Sequence, residues 1–204
     1  MRQEGLSGTV KRRRGRTTIR VPGVRVADDL VKRDFAPAAP KTLWVADITY
    51  LRTWEGWLYL AVVVDCFSRR VVGWALEDHL RAELVVDALE QALHRRQPGR
   101  GLVHHSDQGS QYVSLAFGRR CRQAGIEQSM GGRKSAYDNA LCESFFKTLK
   151  SDLIERRSWP TKPELRTAIF DYIECFYNRQ RRHSSLDYLA PAEYERITEQ
   201  ARVA

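Results

Sequence analysis

Residues 58–65, Leu-Tyr-Leu-Ala-Val-Val-Val-Asp, form an apolar run that is rich in β-branched side chains and ends in an acid. Its length and composition are typical of a strand that is buried on both faces. Similar runs flank it, at residues 43–51 before a Trp-Glu-Gly-Trp turn and at residues 70–76 after a short polar turn. Three strands with such short connections predict an antiparallel meander.

After the third strand the apolar spacing changes from strand-like to helical. We predict a helix from about residue 82 that ends at Pro98-Gly99, a strand at 101–107, a helix at about 113–124 capped by Gly125, and a strand at 126–129. Two helices follow, the second of which begins with a capping-box pattern at residues 161–164 and buries a face running from Leu165 to Phe176. The order predicts an α/β fold, a mixed sheet flanked by helices.

Positive charge is concentrated at the start of the chain. The net charge is +9, and residues 1–41 hold 11 Lys and Arg against 4 Asp and Glu. The run Lys11, Arg12, Arg13 and Arg14 lies in a segment without apolar periodicity that ends in a proline-rich stretch. Such basic arms usually contact nucleic acid or an anionic surface, although a solubilising tail would have the same composition.

The stretch from Asp138 to Lys150 predicts an amphipathic helix. Leu141, Phe145 and Leu149 share one face at i, i+4 and i+8 spacing, and Glu143, Lys147 and Lys150 share the opposite face. On its own, the polar face is explained by a solvated stripe with one helical salt bridge. The alternative is that Glu143 binds a metal ion while the lysines contact a phosphate backbone.

Two further acids stand at unusual positions. Asp47 lies within a predicted strand, where Asp is disfavoured, and Asp107 ends the fourth strand, where α/β folds commonly bind ligands. If strands one and four are neighbours and the helix with Glu143 packs across their ends, the three carboxylates converge. Such a cluster repels itself unless cations neutralise it, and hard oxygen ligands favour Mg²⁺ or Mn²⁺. Each acid also has an ordinary explanation: a hydrogen-bonded core carboxylate, a turn residue and a surface residue.

Three blocks in this order closely resemble the integrase-core transposases of bacterial insertion sequences, in the group closest to retroviral integrases. They are Trp44-x-x-Asp47-x-Thr49-Tyr50, His105-Ser106-Asp107-Gln108-Gly109-Ser110-Gln111-Tyr112, and Asp138-Asn139-Ala140-x-x-Glu143-Ser144-Phe145-Phe146-x-x-Leu149-Lys150. A later block, Phe176-Tyr177-Asn178-x-x-Arg181-x-His183-x-x-Leu186 with Pro191-Ala192-Glu193-Tyr194, matches the same group. The resemblance covers roughly residues 40–196.

The resemblance implies an RNase H-like five-stranded sheet, three strands antiparallel and then two parallel. It implies that Asp47, Asp107 and Glu143 are a catalytic triad binding two Mg²⁺ ions, which Mn²⁺ can replace, for DNA cleavage and strand transfer. Lys150, assisted by Lys147, would then hold transposon-end DNA. We expect a basic arm or linker over residues 1–40, a catalytic core over 41–196 and a terminal tail over 197–204.

Further DNA contacts are expected from Arg133 and Lys134, in a glycine-rich basic stretch before the helix, and from the basic arm. Arg181 and His183 either contact DNA or close the domain against its last helix, two roles that we weigh equally. For Asp65, which precedes a turn, we favour a structural role as a cap of backbone N–H groups. Leu186-Asp187-Tyr188 carries Asp where the group more often has Gly, which is expected to disturb a local turn.

The resemblance also implies a cytoplasmic bacterial protein that associates with the nucleoid when bound to DNA. Joining two element ends requires at least a homodimer on DNA, and no membrane span is expected. The group usually carries an upstream helix-turn-helix region, which this sequence does not show, so poor end specificity is expected. Two alternatives remain: a non-transposing RNase H-type nuclease, and a DNA-binding or inhibitory remnant.

Overall fold

The structure, a computed structural model, describes residues 26–132 and 140–203. The predicted DNA contacts at Lys11–Arg14, Arg133 and Lys134 lie outside the described residues.

Five strands form one mixed sheet in the order β3-β2-β1-β4-β5. The strands are β1 (Leu43–Thr53), β2 (Gly56–Asp65), β3 (Val71–Glu77), β4 (Val103–Ser106) and β5 (Glu127–Met130). β1, β2 and β3 pair antiparallel, β4 pairs parallel with β1, and β5 pairs parallel with β4. The predicted meander followed by two parallel strands is therefore confirmed.

Five α-helices lie among the described residues. They are α1 (Ala82–Arg96), α2 (Leu115–Gln123), α3 (Ala140–Asp152), α4 (Lys162–Phe170) and α5 (Pro191–Val203). The Thr161 hydroxyl accepts a hydrogen bond from the Glu164 N–H at the start of α4, as the capping pattern predicted. Gly125 has a φ of +68° after α2, and the Ile126 N–H bonds the Cys121 carbonyl, which is the bond of a glycine-terminated helix end.

The sheet separates two apolar layers because successive side chains of a strand point to opposite faces. Val45, Leu60 and Val62 pack with Phe145 of α3 and Ile169 of α4 on one face. On the other face, α1 and α2 pack against the alternate residues of the same strands. β2 contributes to both layers, so its apolar run is explained by burial on both sides.

α4 continues without a break into a π-helical segment, Asp171–Tyr177. The prediction that Phe176 is buried is wrong: its side chain is 40 % exposed, whereas Tyr177 is buried. A π-helix has more residues per turn than an α-helix, so it moves the buried position one residue along the chain. Tyr177 therefore takes the place on the apolar face that 3.6-residue spacing gave to Phe176.

The described part of the predicted arm lies against the core. Val31 is buried with the layer under α3, and the Leu30 N–H donates to the Ser129 hydroxyl of β5 at 2.9 Å. The Phe35 ring contacts the His105 ring edge to face, with centroids 5.5 Å apart. At the other end, α5 runs past residue 196, where the predicted core ended. The packed unit thus extends beyond both predicted boundaries.

Three local features complete the fold. Asp187 has a φ of 51°, a conformation that suits Gly and that Asp tolerates better than most residues, so the turn forms with Asp in place. Cys66, Cys121 and Cys142 are buried free thiols, and Cys175 is an exposed one. Within the described ranges no helix is long and apolar enough to cross a membrane.

Candidate active site

The pairing of β1 with β4 brings the first two acids of the predicted site together. Ala46 of β1 is the register partner of Ser106 of β4, so Asp47 and Asp107 are the next residues on two adjacent parallel strands. Neighbouring strands lie about 4.8 Å apart. β4 ends at Ser106, whereas β1 continues to Thr53, so Asp107 begins the loop that leaves the sheet beside Asp47.

α3 supplies the third acid. Cys142, Phe145, Phe146 and Leu149 are buried on one side of this helix, and Glu143 and Lys147 are exposed on the other. The buried side chains pack in the layer that contains Val45, on the face of β1 to which Asp47 belongs. The predicted amphipathic helix is confirmed, with the partial exception of Leu141, which is only half-buried.

The electrostatics of Asp47 depend on the other two acids. Burial raises the pKa of Asp47 to about 7, and the negative charges of Asp107 and Glu143 contribute to the rise. The hydrogen bond from the Ile48 N–H, at 2.8 Å, and the nearby charge of Lys150 act in the opposite direction. A cluster in which one carboxyl is held near its neutral form by burial and by two acids is typical of a functional site.

The loop after β4 fixes Asp107 through its own backbone. The Asp107 carboxylate accepts a hydrogen bond from the Gly109 N–H at 2.9 Å. A Cβ added at Gly109 would lie 2.8 Å from the same carboxylate oxygen, so glycine allows this close approach. The Gln108 side chain donates to the Gly131 carbonyl, and the Gly131 N–H donates to the Ser106 carbonyl at 3.0 Å. The backbone of Gly131 is thereby bonded to the end of β4.

The three carboxylates lie around one region without forming a tight cluster. Among the residues that the structure describes, the only group of three such ligands with atoms within 4.8 Å of one another is Glu77, Asp78 and His79. Asp78 of that group is exposed and already lies 3.3 Å from the ammonium of Lys162. Asp47, Asp107 and Glu143 are therefore farther apart than the ligands of a closed metal site.

Lys150 lies beside Tyr50, and its charge acts on Asp47. Its ammonium is 5.7 Å from the centre of the Tyr50 ring, and its charge lowers the pKa of Asp47. Its side chain is half-buried, whereas Lys147, one turn earlier, is exposed. A cation in this position is suited to hold a phosphate beside the carboxylates.

Sequence reasoning assigned no role to Tyr112, which lies beneath the site. Its side chain is fully enclosed, and burial together with the charges of Asp47 and Asp107 raises its pKa well above the usual range. Among the described residues its hydroxyl has no hydrogen-bond partner. The only signal in the sequence was an aromatic residue in the polar stretch after Asp107, which does not reveal where the hydroxyl lies.

The remaining acid, Asp65, is structural, as the sequence favoured. It is fully buried and accepts hydrogen bonds from the backbone N–H groups of Lys41 and Phe67 and from the Trp44 indole N–H. These donors fix the turn between β2 and β3 and the start of β1.

The two basic residues of the later block are packed against the π-helical segment. The His183 ring is buried and meets the Tyr177 ring edge to face, with centroids 5.1 Å apart. The guanidinium of Arg181 lies 3.7 Å from the Asp152 carboxylate at the end of α3. These contacts join the two residues to the π-helical segment and to α3, so the closing of the domain against its last helix and a contact with DNA both stay predictions.

Comparison with protein families agrees with this geometry. Two family models, each described as an integrase core domain, match residues 37–136 and 124–191. The first covers β1 to β5, with Asp47 and Asp107, and the second covers α3 with Glu143.

Curated relatives are similar over most of the chain. The transposase InsF for insertion sequence IS3A of Escherichia coli strain K12 is 40% identical over 195 residues, which are 96% of this chain and 68% of the relative. The transposase for insertion sequence element IS904 of Lactococcus lactis is 44% identical over 168 residues, 82% of this chain and 66% of the relative.

Solved structures share the fold at low identity. The HTLV-2 integrase catalytic core domain in complex with magnesium has a TM-score of 0.58 at 18% identity, covering 78% of this chain and 98% of that one. A simian T-cell lymphotropic virus intasome has a TM-score of 0.65 at 17% identity, covering 86% and 60%. The architecture is thus that of a retroviral integrase core, which is RNase H-like.

Proposed function

Because the chain belongs to the integrase-core transposases of the IS3 family of insertion sequences, we propose that it cleaves and joins DNA strands through Asp47, Asp107 and Glu143. The observation that carries this assignment is the parallel register of β1 and β4. Asp47 and Asp107 directly follow a register pair of these adjacent strands, and the charge of Glu143 on α3 acts on Asp47, which supports the proposal.

The residues present fit a pair of divalent cations. All three donors are carboxylates, the ligand type that Mg²⁺ and Mn²⁺ prefer, and burial beside two other acids raises the pKa of Asp47. Asp47 and Asp107 would hold the ions from the sheet and Glu143 from α3. Divalent ions bound there would supply positive charge at the attacking and leaving oxygens of an in-line displacement at phosphorus.

The side chains then position the strand. The attacking oxygen belongs to water in cleavage and to a DNA 3′-hydroxyl in joining, so no serine or tyrosine of the protein forms a covalent bond with DNA. In each step one P–O bond forms as another breaks, and the departing oxygen takes up a proton. Lys150 holds a phosphate of the strand next to Asp47, and Lys147 contacts the same backbone from the exposed side of α3.

We further propose that two copies act together on DNA, because joining the two ends of an element requires two catalytic centres on one substrate. The HTLV-2 integrase cores with magnesium were described in dimeric and trimeric forms, which supports this expectation.

Strand cleavage and joining on labelled oligonucleotides with candidate element ends test the proposal. Asp107→Asn and Glu143→Gln should each lower both activities by at least roughly 100-fold in Mg²⁺ or Mn²⁺, since each removes a ligand charge. Glu155→Gln, on an exposed residue just after α3, is the matched control and should retain activity.

The same assay separates the alternatives. Cleavage without any joining would indicate an RNase H-type nuclease, and DNA binding without either activity would indicate a binding remnant. Activity that survives both acid substitutions would exclude the triad.

A further inference from the structure

The hairpin of β1 and β2 presents three large aromatic side chains to solvent. Trp54, in the two-residue loop, is 76% exposed, and Tyr50 and Trp57 are 55% and 45% exposed. Single exposed apolar residues are common on protein surfaces, but contiguous aromatic surface usually marks a binding site. Here the Tyr50 and Trp57 rings are in contact, with centroids 5.4 Å apart.

Cations alternate with these rings. The Arg52 guanidinium lies 5.7 Å from the centre of the Trp57 ring, and the Lys150 ammonium lies 5.7 Å from that of Tyr50. We call Tyr50, Arg52, Trp54, Trp57 and Lys150 the hairpin strip. The acid on this hairpin, Glu55, accepts the backbone N–H of Lys162 at 2.7 Å. The strip itself carries two cations, Arg52 and Lys150, and no acid.

The strip continues into a groove at the tip of the hairpin. An open groove of about 410 Å³ is lined by Arg52, Trp54, Ile154 and Arg157 among others. The backbone N–H of Trp54 donates to the Trp159 carbonyl at 3.0 Å, which anchors the tip of the hairpin. The Arg157 guanidinium stacks on the Trp159 ring, 4.1 Å from its centre. These two contacts fix the floor of the groove in the absence of a ligand.

The other end of the strip adjoins the acids, since Lys150 contacts Tyr50 and acts on Asp47. From Asp47 to Thr53 the strand rises by about 3.3 Å per residue, roughly 20 Å in total. That span matches a few nucleotides of an extended single strand. The strip thus leads away from the catalytic region at the scale of a short stretch of DNA.

We propose that the hairpin strip binds unpaired nucleotides of the DNA strand that passes through the catalytic site. Alternating rings and cations suit this ligand, because bases stack on aromatic faces while Arg and Lys neutralise the phosphates between them. A duplex hides its base faces, so it would leave Trp54 and Trp57 unused. This inference rests on the proposed function, since it assigns to the same site the part of the substrate that lies beyond the reacting phosphate.

Binding of a fluorescent single-stranded oligothymidylate, compared with a duplex of equal length, tests the strip. The measurement is fluorescence anisotropy in EDTA, so that no strand chemistry contributes. Trp54→Ala should weaken single-strand binding roughly 5- to 100-fold, the effect of losing one stacked base, with a much smaller effect on the duplex. Trp54→Phe should restore most of the affinity because it retains an aromatic face.

Matched controls lie elsewhere on the surface. Phe170→Ala removes an exposed ring from α4, and Arg119→Ala removes an exposed cation from α2; both should bind the single strand as the unchanged protein does. Arg52→Ala provides a second test within the strip and should also weaken single-strand binding. Thermal unfolding of each variant confirms that it is folded.

Unchanged single-strand affinity in Trp54→Ala and Arg52→Ala would overturn the proposal, as would an equal loss on single strand and duplex. The absence of single-strand binding by the unchanged protein would do so too. A failure of the catalytic proposal would be distinguishable from this outcome: the protein would bind the single strand in EDTA but would not cleave DNA when metal is added.

Discussion

Two buried acids of this protein, Asp65 and Asp47, differ in the groups that surround their carboxylates. Asp65 is buried with three N–H donors around its carboxylate, so its charge is used to hold a turn. Asp47 is also largely buried, but among the residues described in the structure it receives only the Ile48 N–H, and the charges of two other acids act on it. An acid with so little compensation is poised to bind a cation.

This difference predicts a pH-dependent cost of folding in the absence of metal. The folded chain keeps the Asp47 proton up to about pH 7, whereas an unfolded Asp loses it near pH 4. The folded state therefore binds more protons in that interval, and stability falls as the pH rises from about 4 to about 7. In EDTA, Asp47→Asn should be more stable than the unchanged protein by about 1–4 kcal/mol at pH 8.

Chemical denaturation at several pH values measures the difference in the free energy of unfolding between Asp47→Asn and the unchanged protein. This difference should shrink toward zero as the pH falls to about 4. Asp171→Asn, on an exposed residue of the π-helical segment, controls for the loss of one negative charge. A stability difference that stays constant with pH would show that the ionisation of the buried Asp47 does not cause it.

What the sequence could reveal about single residues depended on the pattern around them. Asp47 was conspicuous because an acid is unusual within a strand, and Asp65 because it precedes a turn. The position of Tyr112 beneath the site was not predicted, since it depends on how the chain packs in three dimensions. Phe176 was predicted to be buried because apolar spacing assumes a regular α-helix, which the π-helical segment interrupts.

Among the elements, the contact of α1 with β3 shows how tightly the sheet and its helices fit. A Cβ at Gly73 would lie 2.2 Å from the Ala88 carbonyl oxygen and 2.7 Å from the Ala92 side chain. Small residues on both sides thus let the helix backbone approach the strand directly. The sequence pattern indicated the extent of α1 without revealing this alanine contact.

Gly73→Ala should therefore destabilise the fold by about 2–3 kcal/mol, because an added methyl group must push α1 away from β3. Gly99→Ala is the matched control, since nothing lies within 4 Å of its Cβ position. Urea denaturation of both variants measures the difference. Equal stability of the two would mean that α1 can shift at no cost.

The order of the elements along the chain was predictable. The order of the strands in the sheet entered only as a condition for the acids to converge. Hydrophobic spacing indicated a meander and two later strands, and convergence of the acids required β1 and β4 to be neighbours. Only the structure shows that pairing and its register. Glu143 follows Asp107 with 35 residues between them and no local pattern that links the two, so the resemblance, not the spacing, joined them.

Over the whole molecule, a buried ionic cluster ties the last helix to the sheet. Glu195 of α5 accepts hydrogen bonds from the Ser68 hydroxyl and the Arg70 guanidinium at 2.7 and 2.8 Å, and from both terminal nitrogens of Arg96. These partners come from the β2–β3 turn and the end of α1. The C-terminal helix is thus tied to the sheet through Glu195, which lies within the predicted core of residues 41–196.

Glu195→Ala should lower the free energy of unfolding by about 2–4 kcal/mol, because it leaves Arg96 buried without its partner. Glu199→Ala, one turn later on the exposed side of α5, should have little effect. Thermal unfolding compares them. If the two variants were equally stable, α5 would not depend on this cluster.

Three acids, from β1, the loop after β4 and α3, are proposed to form one metal site. Mn²⁺ binding, followed by the electron paramagnetic resonance signal of the free ion, tests this most directly. The unchanged protein should bind Mn²⁺, Asp107→Asn and Glu143→Gln should bind it at least roughly 10-fold more weakly, and Asp78→Asn in the exposed cluster should bind it normally. Equal binding by all four proteins, or none by the unchanged protein, would contradict the account.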